Sequence, residues 1–105
     1  MISFQEFTLD NGLRVIVHED PSTTLAVMDV IYDVGSRDED PSRTGFAHLF
    51  EHLMFGGSEN IPNYDSPLQR VGGENNAFTT PDLTTITSAC PIKTWKRPFG
   101  WSLIV

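Results

Sequence analysis

The sequence predicts an α+β chain, with an antiparallel-rich sheet and helices packed on one of its faces. Three observations predict it. A turn dipeptide sits between two β-rich runs, a Val- and Ile-rich segment follows, and a 3.6-residue apolar period then takes over between glycine stops.

Phe4 to Val17 reads FQEFTLDNGLRVIV. Asn11-Gly12 predicts a hairpin closed by a type I′ turn, which needs positive φ at both central residues. LAVMDVIYDV, Leu25 to Val34, predicts a third strand, buried on both faces because its apolar residues are nearly continuous. Gly35 ends it, and SRDEDPSRT is a polar loop broken by Pro41. A helix from Thr44 or Gly45 to about Phe55 follows, stopped by Gly56-Gly57. A second helix opens at Tyr64-Asp65-Ser66-Pro67, with Asp65 or Ser66 as its cap, and ends at Gly72-Gly73. ENNAFTT then reads as extended until Pro81 interrupts it. Phe7 and Tyr32 read as core residues and His18 as a surface residue.

Composition narrows the function. A chain of 105 residues is one small domain or a piece of a larger one. The net charge of -7, with no basic cluster, argues against a nucleic-acid partner. No apolar run approaches the roughly 20 residues that span a bilayer, so membrane insertion is not expected. Cys90 is the single cysteine, which excludes an internal disulfide. MISFQEFTLD lacks the basic and apolar regions of a signal peptide. The expectation is a cytoplasmic protein by default, or one whose targeting segment lies outside this chain.

The chemistry concentrates in GFAHLFEHLMFGG, Gly45 to Gly57. On a helical wheel Phe46, Leu49, Phe50, Leu53 and Met54 fall in one arc of roughly 140°, which predicts a core-facing stripe. His48, Glu51 and His52 cluster opposite, in an arc of roughly 100°. Histidines four residues apart project from one side of adjacent turns, so two imidazoles reach one Zn²⁺ at about 2.0–2.1 Å. Zinc lowers the pKa of bound water to about 7, and an unligated carboxylate beside it takes the proton and later protonates a leaving amine. A merely solvated polar helix face has the same residue types; the helical placement of H-x-x-E-H weighs against chance.

H-x-x-E-H is the inverted zincin signature, and GFAHLFEHLMFGGSENIP resembles the pitrilysin/insulinase family of zinc metallopeptidases. FTLDNGLRVIVHED is similar to that family's opening hairpin, VGSRDEDPSRTGFAHLFEH to its approach to the metal helix, and GGENNAFTTPDLT to its downstream edge segment. The resemblance covers about Phe4 to Thr84. It implies Zn²⁺ as cofactor, His48 and His52 as its ligands, and Glu51 as general base. It also implies that Asn75, Asn76, Ala77 and Phe78 pair with an extended substrate as an added strand, where an ordinary edge strand is the alternative. Catalytic zinc needs three protein ligands and water. On the family pattern the third is a glutamate beyond Val105; Glu59 and Glu74 are nearest within the chain, and neither matches.

The tail departs from the resemblance. After DLT the family continues with a segment like NLETAFWLESDR, whereas this chain reads TITSACPIKTWKRPFGWSLIV. Shifted back by one nucleotide, Trp95-Lys96 contains an unavoidable glutamate codon, Trp101 allows Leu, and Ser102 read as AGY gives Glu. Two parts are therefore expected: residues 1–84 as the N-terminal part of a metallopeptidase catalytic domain, and 85–105 as a frameshifted readout ending accidentally at Val105. Cys90, Trp95 and Trp101 then carry no function; a divergent segment is the alternative.

The function implied is that of a zinc-dependent metalloendopeptidase acting on a peptide or unfolded protein. As a truncated fragment it is expected to be inactive alone, because its partner, the C-terminal half of the enzyme, is missing. The alternatives are a non-catalytic homologue and a non-functional gene product that keeps the fold.

Overall fold

A computed structural model describes residues 2–95. Strands β1 (Gln5–Thr8) and β2 (Arg14–Val17) form the expected hairpin, an antiparallel pair in which Thr8 faces Arg14. Its turn is not type I′. The Gly12 N–H donates to the Leu9 carbonyl at 2.8 Å and the Leu9 N–H to the Leu13 carbonyl at 2.9 Å. Among the described residues only glycines have positive φ, Gly12 at 87°. This is a three-residue loop with a bulge at Gly12. The Asn11 Oδ1 accepts the Leu13 N–H at 3.1 Å, so Asn11 closes the loop with its side chain and Gly12 alone is left-handed.

Strands β3 (Leu25–Tyr32), β4 (Glu74–Thr79) and β5 (Thr84–Pro91) make a second antiparallel sheet in the order β3-β5-β4. β3 departs from expectation, because it is not covered on both faces. Its exposure alternates, and Leu25, Val27 and Ile31 are 54%, 67% and 62% exposed. It lies at the edge of this sheet, with only the Ala26, Met28, Val30 and Tyr32 side on the helix-bearing face. Tyr32 meets Phe50 edge-on, ring centroids 5.2 Å apart. Phe7, read as core, is exposed on the hairpin. His18 is exposed as expected, and its Nδ1 donates to the Ser3 carbonyl at 2.6 Å.

Helices α1 (Phe46–Phe55) and α2 (Asp65–Arg70) occupy one face of the sheet. Neither Asp65 nor Ser66 caps α2; the Asn63 Oδ1 accepts the Ser66 N–H at 2.8 Å, a cap supplied from three residues upstream. Tyr64, Leu68 and Cys90 form the buried cluster, with Phe55 and Val71 packed against it. The Tyr64 and Ser88 hydroxyls are 3.2 Å apart, which satisfies both inside the core.

The expected boundary at Thr85 falls inside β5, the middle strand, where Thr85, Ile86, Ser88 and Cys90 are buried. Residues 96–105, the last part of the expected frameshifted readout, lie outside the described residues.

The short turn Ser36–Asp38 docks on the β4–β5 connection. The Ser36 and Arg37 N–H groups donate to the carbonyls of Thr80 at 3.1 Å and Pro81 at 3.0 Å, and Arg37 pairs with Asp82 at 2.7 Å. A Cβ on Gly35 would collide with both carbonyls, so only glycine permits this approach.

Leu68 is 1% exposed at the centre of the core. Leu68→Ala should cost about 2–5 kcal/mol, measured as the change in unfolding free energy in urea with an unchanged m-value.

Candidate metal centre

Helix α1 is seated differently from the apolar-stripe expectation. Phe46, Leu49 and Leu53 are 59%, 50% and 61% exposed, while Ala47 is buried and Glu51, Met54 and Phe55 are half-buried. The helix thus turns Ala47 and Glu51 toward the sheet. A small residue at 47 permits close packing on β4 and β5, and a bulky apolar residue there would hold the helix off. Wheel geometry located the largest apolar arc correctly; it could not show that this arc is left uncovered among the described residues.

The rotation brings the site residues together. His48 and His52 are exposed, with their Nε2 atoms 3.0 Å apart and their rings tilted by 36°. Two imidazoles on one tetrahedral zinc, each at about 2.0–2.1 Å, have nitrogens roughly 3.3 Å apart. The two rings therefore converge on one point in a geometry that fits a metal ion. Glu51 lies on the sheet side of this pair, its Oε2 accepting the Thr79 hydroxyl at 2.5 Å.

An open cavity of about 490 Å³ lies between the start of α1, the Ser36–Asp38 turn and the end of β4. Glu39, His48, Glu51, Ala77, Phe78 and Thr79 are among its lining residues. Of the four residues expected to pair with substrate, Ala77 and Phe78 line it. Asn75 points its side chain at α2, with Nδ2 donating to Asp65 Oδ1 at 2.8 Å, and Asn76 Oδ1 accepts the Ala77 N–H at 2.9 Å.

The ladder fixes the direction of β4's backbone. Thr80 N–H donates to the Leu83 carbonyl at 2.8 Å, and Ile92 N–H to the Thr24 carbonyl at 2.8 Å. Extended through the printed registers, both place the even-numbered residues of β4 against β5. Backbone groups of Asn75, Ala77 and Thr79 then face the open edge of the sheet.

Among the described residues no group of three His, Cys, Asp or Glu side chains is placed to hold a metal ion. Glu59 and Glu74 do not complete the pair.

Two residues that shape the site escaped the sequence reading. Glu39 holds the start of α1, its carboxylate accepting the N–H groups of Gly45 at 2.6 Å and Ala47 at 2.8 Å. Nothing in a charged loop marks a cap six to eight residues from its helix. Thr79 escaped too, although the two-residue strand period from Ala77 places it on the helix side.

A helix on a sheet face thus carries paired imidazoles and an adjacent carboxylate above an edge strand. A model of the insulinase family, peptidase family M16, matches residues 14–96, and the chain belongs to that family. It is 40% identical over 83 residues to the zinc protease PqqE of Helicobacter pylori, covering 76% of this chain and 19% of that protein. Its fold superimposes on a protease from Helicobacter pylori with a TM-score of 0.87 at 31% identity, covering 97% of this chain and 26% of that one. Pitrilysin gives 0.84 at 25% identity, covering 97% and 12%. The chain therefore spans less than a fifth of the length of the first curated relatives it matches.

Glu39's pKa is lowered, first by the Ala47 N–H and then by the Gly45 N–H, because both bonds favour the charged form. Its contribution to stability is thus present above the ordinary value of 4.5 and is lost as pH falls below that through the folded value. The urea midpoint of the wild type should exceed that of Glu39→Gln at neutral pH, with the two curves converging in acid.

Proposed function

We propose that this chain carries the metal-binding and water-activating part of a zinc metalloendopeptidase. The observation that supports this reading most is the convergence of the His48 and His52 Nε2 atoms, 3.0 Å apart, beside the Glu51 carboxylate. Zinc, when bound, supplies Lewis acidity at the mouth of the cavity. His48 and His52 would hold it through Nε2. Glu51 takes a proton from water and returns it to the departing amine. Peptide lies along the open edge of β4, pairing with the outward carbonyl of Ala77 and the backbone groups of Thr79, so that a scissile bond passes the cavity that His48 and Glu51 line.

Two imidazoles leave the donor set one ligand short of a catalytic zinc site. The third ligand, and the remainder of the enzyme, lie outside this chain, and the chain alone is inactive. The incomplete donor set also favours a second reading, a chain that keeps the fold without catalysis.

The out-of-frame reading of the tail belongs to the same proposal. Its start is placed at about Thr85, where the sequence leaves the family pattern. The nucleotide sequence should show a single-base insertion or deletion near the Thr85 codon, and an intact frame there would contradict it.

Zinc titrated into the purified chain should bind more weakly than about 1 µM by calorimetry, because water fills the remaining coordination positions. In the complete enzyme Glu51→Gln should abolish peptide hydrolysis while zinc affinity is retained. Unchanged hydrolysis would favour a binding or scaffold role.

A further inference from the structure

We infer that Thr79 is a positioning residue for the Glu51 carboxylate. The inference rests on the proposed role of Glu51 as the base, and it adds a residue that no part of the H-x-x-E-H pattern contains.

The protons can be assigned. An ionised carboxylate only accepts, so the 2.5 Å contact between the Thr79 Oγ1 and the Glu51 Oε2 requires the Thr79 hydroxyl to donate. Thr79 has one hydroxyl proton, and Glu51 receives it. Thr84 is 0% exposed, and its Oγ1 stands 3.1 Å from the Val34 carbonyl and 3.5 Å from the Thr79 Oγ1. Its single proton goes to the nearer acceptor, the Val34 carbonyl. Thr84 therefore neither donates to the Thr79 hydroxyl nor competes for Glu51.

The arrangement separates the two oxygens of Glu51. Oε2 is bound to the sheet, and among the described residues no protein donor is recorded on Oε1. Oε1 is therefore the atom left to meet water in the cavity. A carboxylate on a free side chain would sample several rotamers; a charge-assisted bond to a strand residue restricts it to one. The same Thr79 has outward backbone groups at the open edge of β4. One residue thus joins the edge proposed to carry peptide to the base proposed to act on it.

Three variants test this: Thr79→Val, which keeps the shape and removes the donor, Thr79→Ser, which restores it, and Glu51→Gln as a reference. On the 105-residue chain, labelled with carbon-13 at glutamate Cδ, the Glu51 resonance should move in Thr79→Val and return in Thr79→Ser at constant pH. Zinc affinity by calorimetry should be the same in all three. In the complete enzyme Thr79→Val should lower kcat by about 10–100-fold, as loss of a supporting hydrogen bond typically does, with KM unchanged and activity recovered in Thr79→Ser. The inference is overturned if the Glu51 resonance does not move, if serine fails to restore it, or if Thr79→Val cleaves at the wild-type rate where Glu51→Gln does not cleave. Full hydrolysis by Glu51→Gln would overturn the base assignment itself, and with it the reading on which this inference rests.

Discussion

The rotation of α1 about its own axis is the constraint on which the site depends. Three contacts hold it. The Glu39 carboxylate takes the N–H groups of Gly45 and Ala47 at one end, Ala47 lies buried against the sheet, and Glu51 is bonded to Thr79 one turn later. Residues 47 and 51 lie four apart, so they share the sheet-facing side. His48 and His52 are each one residue further and emerge beside that side, at the mouth of the cavity. A rotation of one residue, about 100°, would carry the imidazoles away from β4 or bury them.

This seating explains why a carboxylate is found on the sheet side of a helix that has ample apolar surface elsewhere. Burial of a carboxylate is costly unless its oxygens are hydrogen-bonded. Half-buried Glu51 accepts from Thr79, and buried Thr84 next to Thr79 has its own acceptor in the Val34 carbonyl. Among the described residues no buried side-chain polar atom is left without a partner. The polar inlay between α1 and the sheet is therefore tolerated, and it leaves the apolar arc of Phe46, Leu49 and Leu53 on the outer side.

Much of this was readable in the sequence, for identifiable reasons. Asp10-Asn11-Gly12 carries its own conformational signal, so the hairpin was found; its turn type was not, because Asn11 uses its side chain on Leu13 rather than adopting positive φ. The i, i+4 spacing of His48 and His52 is fixed by helix geometry, and the structure brings their nitrogens together. Helix rotation is a tertiary property. The apolar-stripe rule supposes that the largest apolar arc is covered by the same chain, and here, in a chain much shorter than its relatives, the described residues leave it open. The same supposition misjudged β3, whose Val27 and Ile31 face outward. Glu39 was invisible because its partners are distant in sequence; for Thr79 the strand period gave the side it faces but not its partner, which lies on another element.

The most direct measurement is X-ray absorption at the zinc edge of the zinc-loaded chain. If α1 is seated as described, the spectrum should show two imidazole nitrogens at about 2.0–2.1 Å, with the remaining shell made of light oxygen-type scatterers. Replacing either His48 or His52 by alanine should remove one imidazole contribution. A sulfur shell from Cys90, or a spectrum indifferent to those two replacements, would contradict it.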